Sequence, residues 1–503
     1  QLASQFPAPF NKKTGQGLGG QFTLTNLNES SDRPTSGQLK VGKIIDANFV
    51  FGANQPPRIG LGINAPGNLP QKGFASTILL DQLDVSIWQS WLDKNLPESS
   101  QQANTNVAPS SDFEIDTISA RIKNLKLADR SFKDIAIQAT HDKEQWHASI
   151  QSPVAKGLVQ WKSARAGFPQ GKLTARLQQL VIENTESGDT LTKGVNKRIQ
   201  KIPALDIQSD ELIFNNKSYG KMELLASNDK NDWKIEKLFL KTADAQINAT
   251  GRWTLPKETK QLNAGKTELN FDLDINNAGK LLSKLGFPKT IDDGSGKLVG
   301  QINWANAPYS FDIKSLNAEL SLDLVKGTIL QVDPGVARLL GVLSFQGLSR
   351  IATLDIGGVL KPIVTQGTPF DRITSTGSIN NGVANIKDLN MRGPQGNIRL
   401  TGRADLIQEN QDIRITVVPN FNAGSASVAY TFINPIIGLS TMVGQFLIAD
   451  EVSKLFQLDY LVQGTWANPQ IIALDKKGKP LDEKQLKEIR DKSLLKQQSP
   501  TKK

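Results

Sequence analysis

At 503 residues with 38 % hydrophobic content, below the about 45–50 % of average globular chains, the sequence excludes one thick compact core and favours several domains or a repeat array of thin, half-buried layers. The formal net charge is +10, yet basic and acidic residues are mixed, with no dense, aromatic-interleaved basic surface, so no nucleic-acid partner is expected. Absence of cysteine excludes disulfides and thiolate chemistry, and the two histidines, His141 and His147, make a poor metal site in one strand region.

The chain opens at Gln1 with neither methionine nor a signal-peptide pattern, and reads as a fragment or processed piece; any amino-terminal membrane anchor would lie outside it. Residues 1–110 are expected to form a first β-segment. Within them, Gly15 to Gly20 lacks the strand-to-helix context and Lys-Ser/Thr ending of a phosphate loop and reads as a plain loop. A helix is predicted over Val85 to Leu92. Residues 111–255 read as two β-repeat units, with strands over Ile115 to Leu127 and Leu205 to Phe214. Phe132, Ala139, Asp142, Lys143 and Trp146 recur as Tyr219, Ala226, Asp229, Lys230 and Trp233, each 87 positions later, and Leu125 and Leu127 fall on Leu212 and Phe214. Such recurrence points to an elongated array.

Residues 256–410 hold the cleanest alternation, Glu268 to Ile275, where polar and apolar side chains strictly interchange. Further strands are predicted over Glu319 to Leu324, Asn397 to Leu400 and Asp412 to Val417. Turns are marked by Asn215-Asn216, Asn380-Asn381-Gly382, Gly393-Pro394 and the run around Asp292-Asp293, whose paired carboxylates need no catalytic explanation. Helices are predicted over Ala278 to Leu285, Gly335 to Leu348, Pro435 to Leu458 and Asp482 to Leu495. Residues 411–475 combine an apolar helix with a terminal strand, and 476–503 form a charged tail. From Asp475 onward the chain holds ten Lys/Arg and five Asp/Glu, half of the net charge. No Gly-x-Ser-x-Gly or His-Glu-x-x-His occurs; no enzyme, cofactor or metal is expected.

The fold class is therefore mostly β, an elongated, repeat-like antiparallel sheet with a few short helices toward the carboxy terminus, which forms a curved, hydrophobic groove if its apolar face holds cargo. A sheet with one apolar face cannot stand bare in water. Its cover is either a second sheet, giving sandwiches, or an apolar cargo in a trough, and the pattern leaves both open. For the trough, about 25 strands at about 4.8 Å give a groove on the order of 120 Å, and each buried methylene contributes about 0.8 kcal/mol. The groove-lining candidates are Leu269, Phe271, Leu273, Ile275, Phe311, Ile313, Leu320, Leu322, Leu324, Ile398, Leu400, Ile413, Ile415 and Val417.

Between Arg414 and Asp450 no residue is charged. Pro435 suits a first helical turn, but the apolar run to Asp450 is short of the about 20 residues that span a bilayer. A groove cap, partial membrane insertion and a buried helix all stay open, with Ile436, Ile437, Leu439, Met442, Val443, Phe446 and Leu447 as the candidate residues.

From about Phe113 onward an ordered series of residues resembles the AsmA-like superfamily, most closely its long YhdP-type members. It includes Trp146, Ser152-Pro153, Ile202 to Asp206, Gly251-Arg252-Trp253 and Val332-Asp333-Pro334-Gly335 with Leu339 to Ser344. Phe370-Asp371, Gly377, Asn381-Gly382-Val383, Gly393-Pro394, Gly402, Asn434-Pro435 and Tyr460 to Trp466 complete it. Residues 1–110 match more loosely. The resemblance implies the carboxy-terminal part of a bridge-like lipid transfer protein in the periplasm of a Gram-negative bacterium. It also implies an inner-membrane anchor outside this sequence and an outer-membrane or envelope partner at the carboxy-terminal end. The cargo it implies is phospholipid, held by its acyl chains, in support of the outer-membrane permeability barrier. A β-rich envelope scaffold without a conduit is the alternative.

Overall fold

The computed structural model describes residues 6–8, 10–11, 17, 19–25, 34–52, 55–95, 115–127, 130–142, 144–165, 167–182, 203–229, 232–254, 265–308, 310–330, 368–394, 396–419, 458–466, 468–475 and 477–480. They form 24 strands, two α-helices and one short 3-10 turn, so the expected mostly-β class is what is found. The chain divides into two compact units: Gln1–Leu240 with Thr254–Ala264, and Lys241–Trp253 with Gly265–Lys503.

The first unit begins with β1 (Gly20–Thr25), β2 (Thr35–Val41), β3 (Ile45–Gly52), β4 (Gln55–Ile63) and β5 (Gly73–Asp84). The helix α1 (Val85–Asn95) follows, started by the Asp84 carboxylate, which accepts from the amides of Ser86 at 3.1 Å and Ile87 at 3.2 Å. Then come β6 (Ile115–Leu127), β7 (Arg130–Asp142), β8 (Gln145–Gln151), β9 (Ala155–Lys162) and β10 (Lys172–Ile182). The unit closes with β11 (Ala204–Phe214), β12 (Lys217–Ser218), β13 (Lys221–Asp229) and β14 (Asp232–Lys241).

Pairing is mainly antiparallel, as expected, but β4–β5, β5–β6 and β10–β11 are parallel, so the sheet is mixed. A parallel neighbour requires the chain to return along a full strand before the next begins, whereas a hairpin does not. The return from β4 to β5 is visible. Gly67 donates its amide to Asp46 Oδ2 at 3.3 Å, and Asn48 Nδ2 donates to the Gly67 carbonyl at 2.7 Å. Asp46 and Asn48 stand opposite Gly62 and Gly60 on the polar face. A Cβ on Gly60 would collide with the Asn68 carbonyl, and one on Gly62 with that of Ala65. The two glycines thus make room for the returning chain on the wet face.

The 87-residue recurrence has a counterpart in strand register. In β6–β7, Ile118 faces Ala139, Ile122 faces Ile135 and Leu127 faces Arg130. In the later copy Leu205 faces Ala226, Ser209 faces Met222 and Phe214 faces Lys217, every pair displaced by 87.

The second unit comprises β15 (Ala245–Thr254), β16 (Lys266–Ile275), the helix α2 (Ala278–Lys284), β17 (Ile291–Ala305) and β18 (Asn317–Ile329). It continues with β19 (Thr368–Asn380), β20 (Val383–Gly393), β21 (Gly396–Asp405), β22 (Asn410–Pro419), β23 (Leu458–Thr465) and β24 (Pro469–Leu474). From β16 to β24 each strand pairs antiparallel with the next. Asn277 caps α2, its Oδ1 accepting from Lys280 N at 2.8 Å. The β19–β20 hairpin turns at Asn381 and Gly382, both with positive φ, 47° and 77°, as a tight two-residue turn requires. One sheet margin carries α2 and the β20–β21 turn. The other carries the turns after β17, β19, β21 and β23.

The predicted helices at 335–348 and 482–495 lie outside the described residues. So does the predicted helix at 435–458, except Leu458, which opens β23.

Candidate functional site

Residues directly opposite one another on paired strands share a face, so the register turns each unit's alternation into rows. In the second unit one row runs Ile275, Gly296, Leu324, Ile373, Met391, Ile398, Val417, Leu458. The next runs Leu273, Leu298, Leu322, Ser375, Leu389, Leu400, Ile415, Tyr460, Ala473. A third runs Phe271, Gly300, Leu320, Gly377, Ile386, Gly402, Ile413, Val462, Ile471, and a fourth begins Leu269, Ile302, Ala318, Ile379. Twelve of the fourteen predicted lining residues therefore share one apolar face.

In the third row a glycine follows every large residue from Phe271 to Gly402. A Cβ on Gly300 would come within 2.6 Å of Leu320 Cδ2 and 3.2 Å of Phe271 Cε1, so these side chains close over the bare backbone. Gly402, at φ +140°, sits against the Asp412 carbonyl. Bulges interrupt the register at Thr376/Gly377 and Ile386/Leu389 in the same zone. Glycines and bulges in line across a sheet let its strands bend together.

Burial along the face is uneven. Leu269, Phe271 and Leu273 of β16, Leu298 and Ile302 of β17, and Leu320 and Leu322 of β18 are half-buried. Ile275 and Leu324 are buried. At β21–β23 the face is sealed: Ile398, Leu400, Ile413, Ile415, Val417 and Val462 are at most 3 % exposed. Leu281 and Leu282 of α2 pack against this same cluster. Phe311 and Ile313 stand apart from the rows. They occupy the turn after β17, 59 % and 37 % exposed, with the Phe311 ring edge-on to Trp304 at 5.4 Å. The charge-free candidates Ile436, Ile437, Leu439, Met442, Val443, Phe446 and Leu447 lie outside the described residues.

The opposite face is wet and ionic. Lys297 bridges Asp272 at 3.1 Å, and Arg372 forks onto Asp323, holding its carboxyl below the usual range. In the first unit Lys221 and Lys237 grip Glu223 at 2.8 and 2.7 Å and draw its pKa to about 2. On the apolar face, burial alone pushes the Tyr460 phenol up to about 12. The two faces thus differ in kind, one solvated by charge pairs and one mostly hydrocarbon, with Ser375 and Tyr460 as polar exceptions in its rows.

The first unit carries an equivalent face that the residue list above omits. One row runs Phe22, Leu39, Ala47, Leu61, Ser76, Ile118, Ala139, Ala148, Val159, Ala175, Ile207, Leu224. Its leading edge is open: Phe22, Leu24 and Leu39 are 59 %, 38 % and 37 % exposed. The alternations Ile45-Ala47-Phe49 and Ile59-Leu61-Ile63 were the available signal, the second masked by glycines on the wet side.

The chain is 24 % identical over 270 residues to the intermembrane phospholipid transporter YhdP of Escherichia coli (strain K12). That match covers 54 % of this chain and only 21 % of the relative's length. No solved structure matches. The profile of the family described as YhdP protein matches residues 1–471, and the chain belongs to that family.

Proposed function

We propose that this chain binds phospholipids by their acyl chains along the apolar faces of its two units, as one section of a longer periplasmic conduit between inner and outer membrane that supports the outer-membrane barrier. The observation that carries the reading is the set of apolar rows from β16 onward, interrupted at Ser375 and largely half-exposed at β16–β18, in a member of a family with an intermembrane phospholipid transporter. Hydrocarbon laid on these rows gains about 0.8 kcal/mol per methylene without a specific contact, so tails are held yet free to slide. Headgroups stay at the wet margins. The proposal includes an inner-membrane anchor outside this sequence, an outer-membrane or envelope partner at the carboxy-terminal end, and a cap or membrane-proximal role for residues 436–447.

Phe271→Asp, Leu273→Asp and Leu322→Asp, each in the full-length protein, are expected to lose copurifying phospholipid and outer-membrane detergent resistance at normal protein levels. Asn270→Asp and Asp272→Asn, on the wet face of the same strand, are expected to retain both. Equal sensitivity of the two sets contradicts the conduit. The sealed face at β21–β23 favours a second reading, a packed structural scaffold. It predicts protein purified without bound phospholipid.

A further inference from the structure

Three apolar side chains at one margin of the second unit belong neither to its rows nor to its core. Phe311, Ile313 and Ile407 are 59 %, 37 % and 42 % exposed, at the tips of the turns after β17 and β21. The turns are laced together. The Gly382 amide donates to the Leu316 carbonyl at 3.0 Å, and the Leu406 amide donates to the Gly382 carbonyl at 3.0 Å. At Gly382 a Cβ would lie 2.7 Å from the Ile313 carbonyl and 2.8 Å from Ile407 Cδ1, so the two isoleucines flank one bare backbone position. Phe311 leans edge-on against the buried Trp304.

Turn chemistry does not call for large apolar residues at such tips. The nearest acid is drawn inward: Asp312 accepts from Ser315 Oγ at 2.6 Å and Lys314 N at 3.1 Å, while the Lys314 side chain stays exposed. In the neighbouring turn Asp405 is likewise occupied, accepting from the amides of Ile407 at 2.8 Å and Gln408 at 2.9 Å, and Glu409 is exposed.

We propose that this margin is a bilayer-contact tip, with Phe311, Ile313 and Ile407 entering the interfacial region of a phospholipid membrane and Lys314 reaching headgroup phosphate. Three side chains are far too few for a stable protein interface, which needs about 1,000 Å² or more. A membrane surface asks only for a few apolar side chains beside a long cation. The tips adjoin the end of the fourth apolar row: Phe311 touches Trp304, two residues beyond Ile302 in β17, and Trp304 and Ala318 are themselves buried.

The inference rests on the lipid-handling reading only for the nature of the partner, and its test separates the two. This chain is floated with vesicles of phosphatidylethanolamine and phosphatidylglycerol in equal amounts, as wild type and as Phe311→Ser/Ile313→Ser/Ile407→Ser, with copurified phospholipid and thermal melting measured in parallel. Vesicle binding is expected to weaken roughly a hundredfold, with copurified lipid and melting unchanged. Ile407→Ser alone, away from the Trp304 contact, is expected to weaken binding in part. Absence of wild-type binding, or equal binding by the triple variant, overturns the proposal. So does loss of copurified lipid in the triple variant, which would make these residues part of the cargo surface.

Discussion

Tyr460 stands in the second apolar row between Ile415 and Ala473 and is 5 % exposed. Its phenol shifts from 10.0 to about 12 because burial disfavours the phenolate. A raised folded-state value means the neutral form is the one the fold keeps. The corresponding stability is present below pH 10.0 and is lost as pH rises through about 12. Tyr460→Phe is therefore expected to flatten the alkaline fall in denaturation midpoint between these limits. An unchanged fall would show that Tyr460 titrates freely.

Gly402 makes a different demand. Its positive φ and its approach to the Asp412 carbonyl leave no room for a side chain. Gly402→Ala is expected to cost about 1–3 kcal/mol in chemical denaturation. A neutral result would mean that β21 and β22 separate without penalty.

Strand and helix elements were legible to different degrees. The alternation of Glu268 to Ile275 marked β16, and Val85, Trp88, Trp91 and Leu92 at helical spacing marked α1. The Asn381-Gly382 hairpin followed from turn chemistry. Parallel junctions were not legible. Alternation reports which side of a strand is apolar, but not the direction of its neighbour, which depends on where the connecting chain travels. At β4–β5 that path depends on Gly60 and Gly62 lacking side chains. Gly62→Val is expected to displace the 64–72 return from the wet face and to expose that loop to limited proteolysis. Wild-type resistance in the variant would mean the loop packs elsewhere.

For the molecule as a whole, the sequence identified the apolar rows but not what covers them. Leu322 and Ile415 alternate alike, yet Leu322 is half-buried and Ile415 fully buried. Both belong to or pack against one core cluster, so the difference lies in tertiary packing around each position, which periodicity does not encode. Phe311 and Ile313 were expected among the lining residues, but the chain leaves the sheet before them. The match to the transporter relative covers 21 % of that protein's length.

The most direct measurement places a photoreactive amino acid at Phe271 or Leu320 on the apolar face, and at Asn270 or Asp323 on the wet face, in the full-length protein within cells. Mass spectrometry of the purified protein then reads the adducts. The account predicts phospholipid acyl-chain adducts at Phe271 and Leu320 and none at Asn270 or Asp323. Adducts absent from all four positions, or equally frequent on both faces, would contradict it.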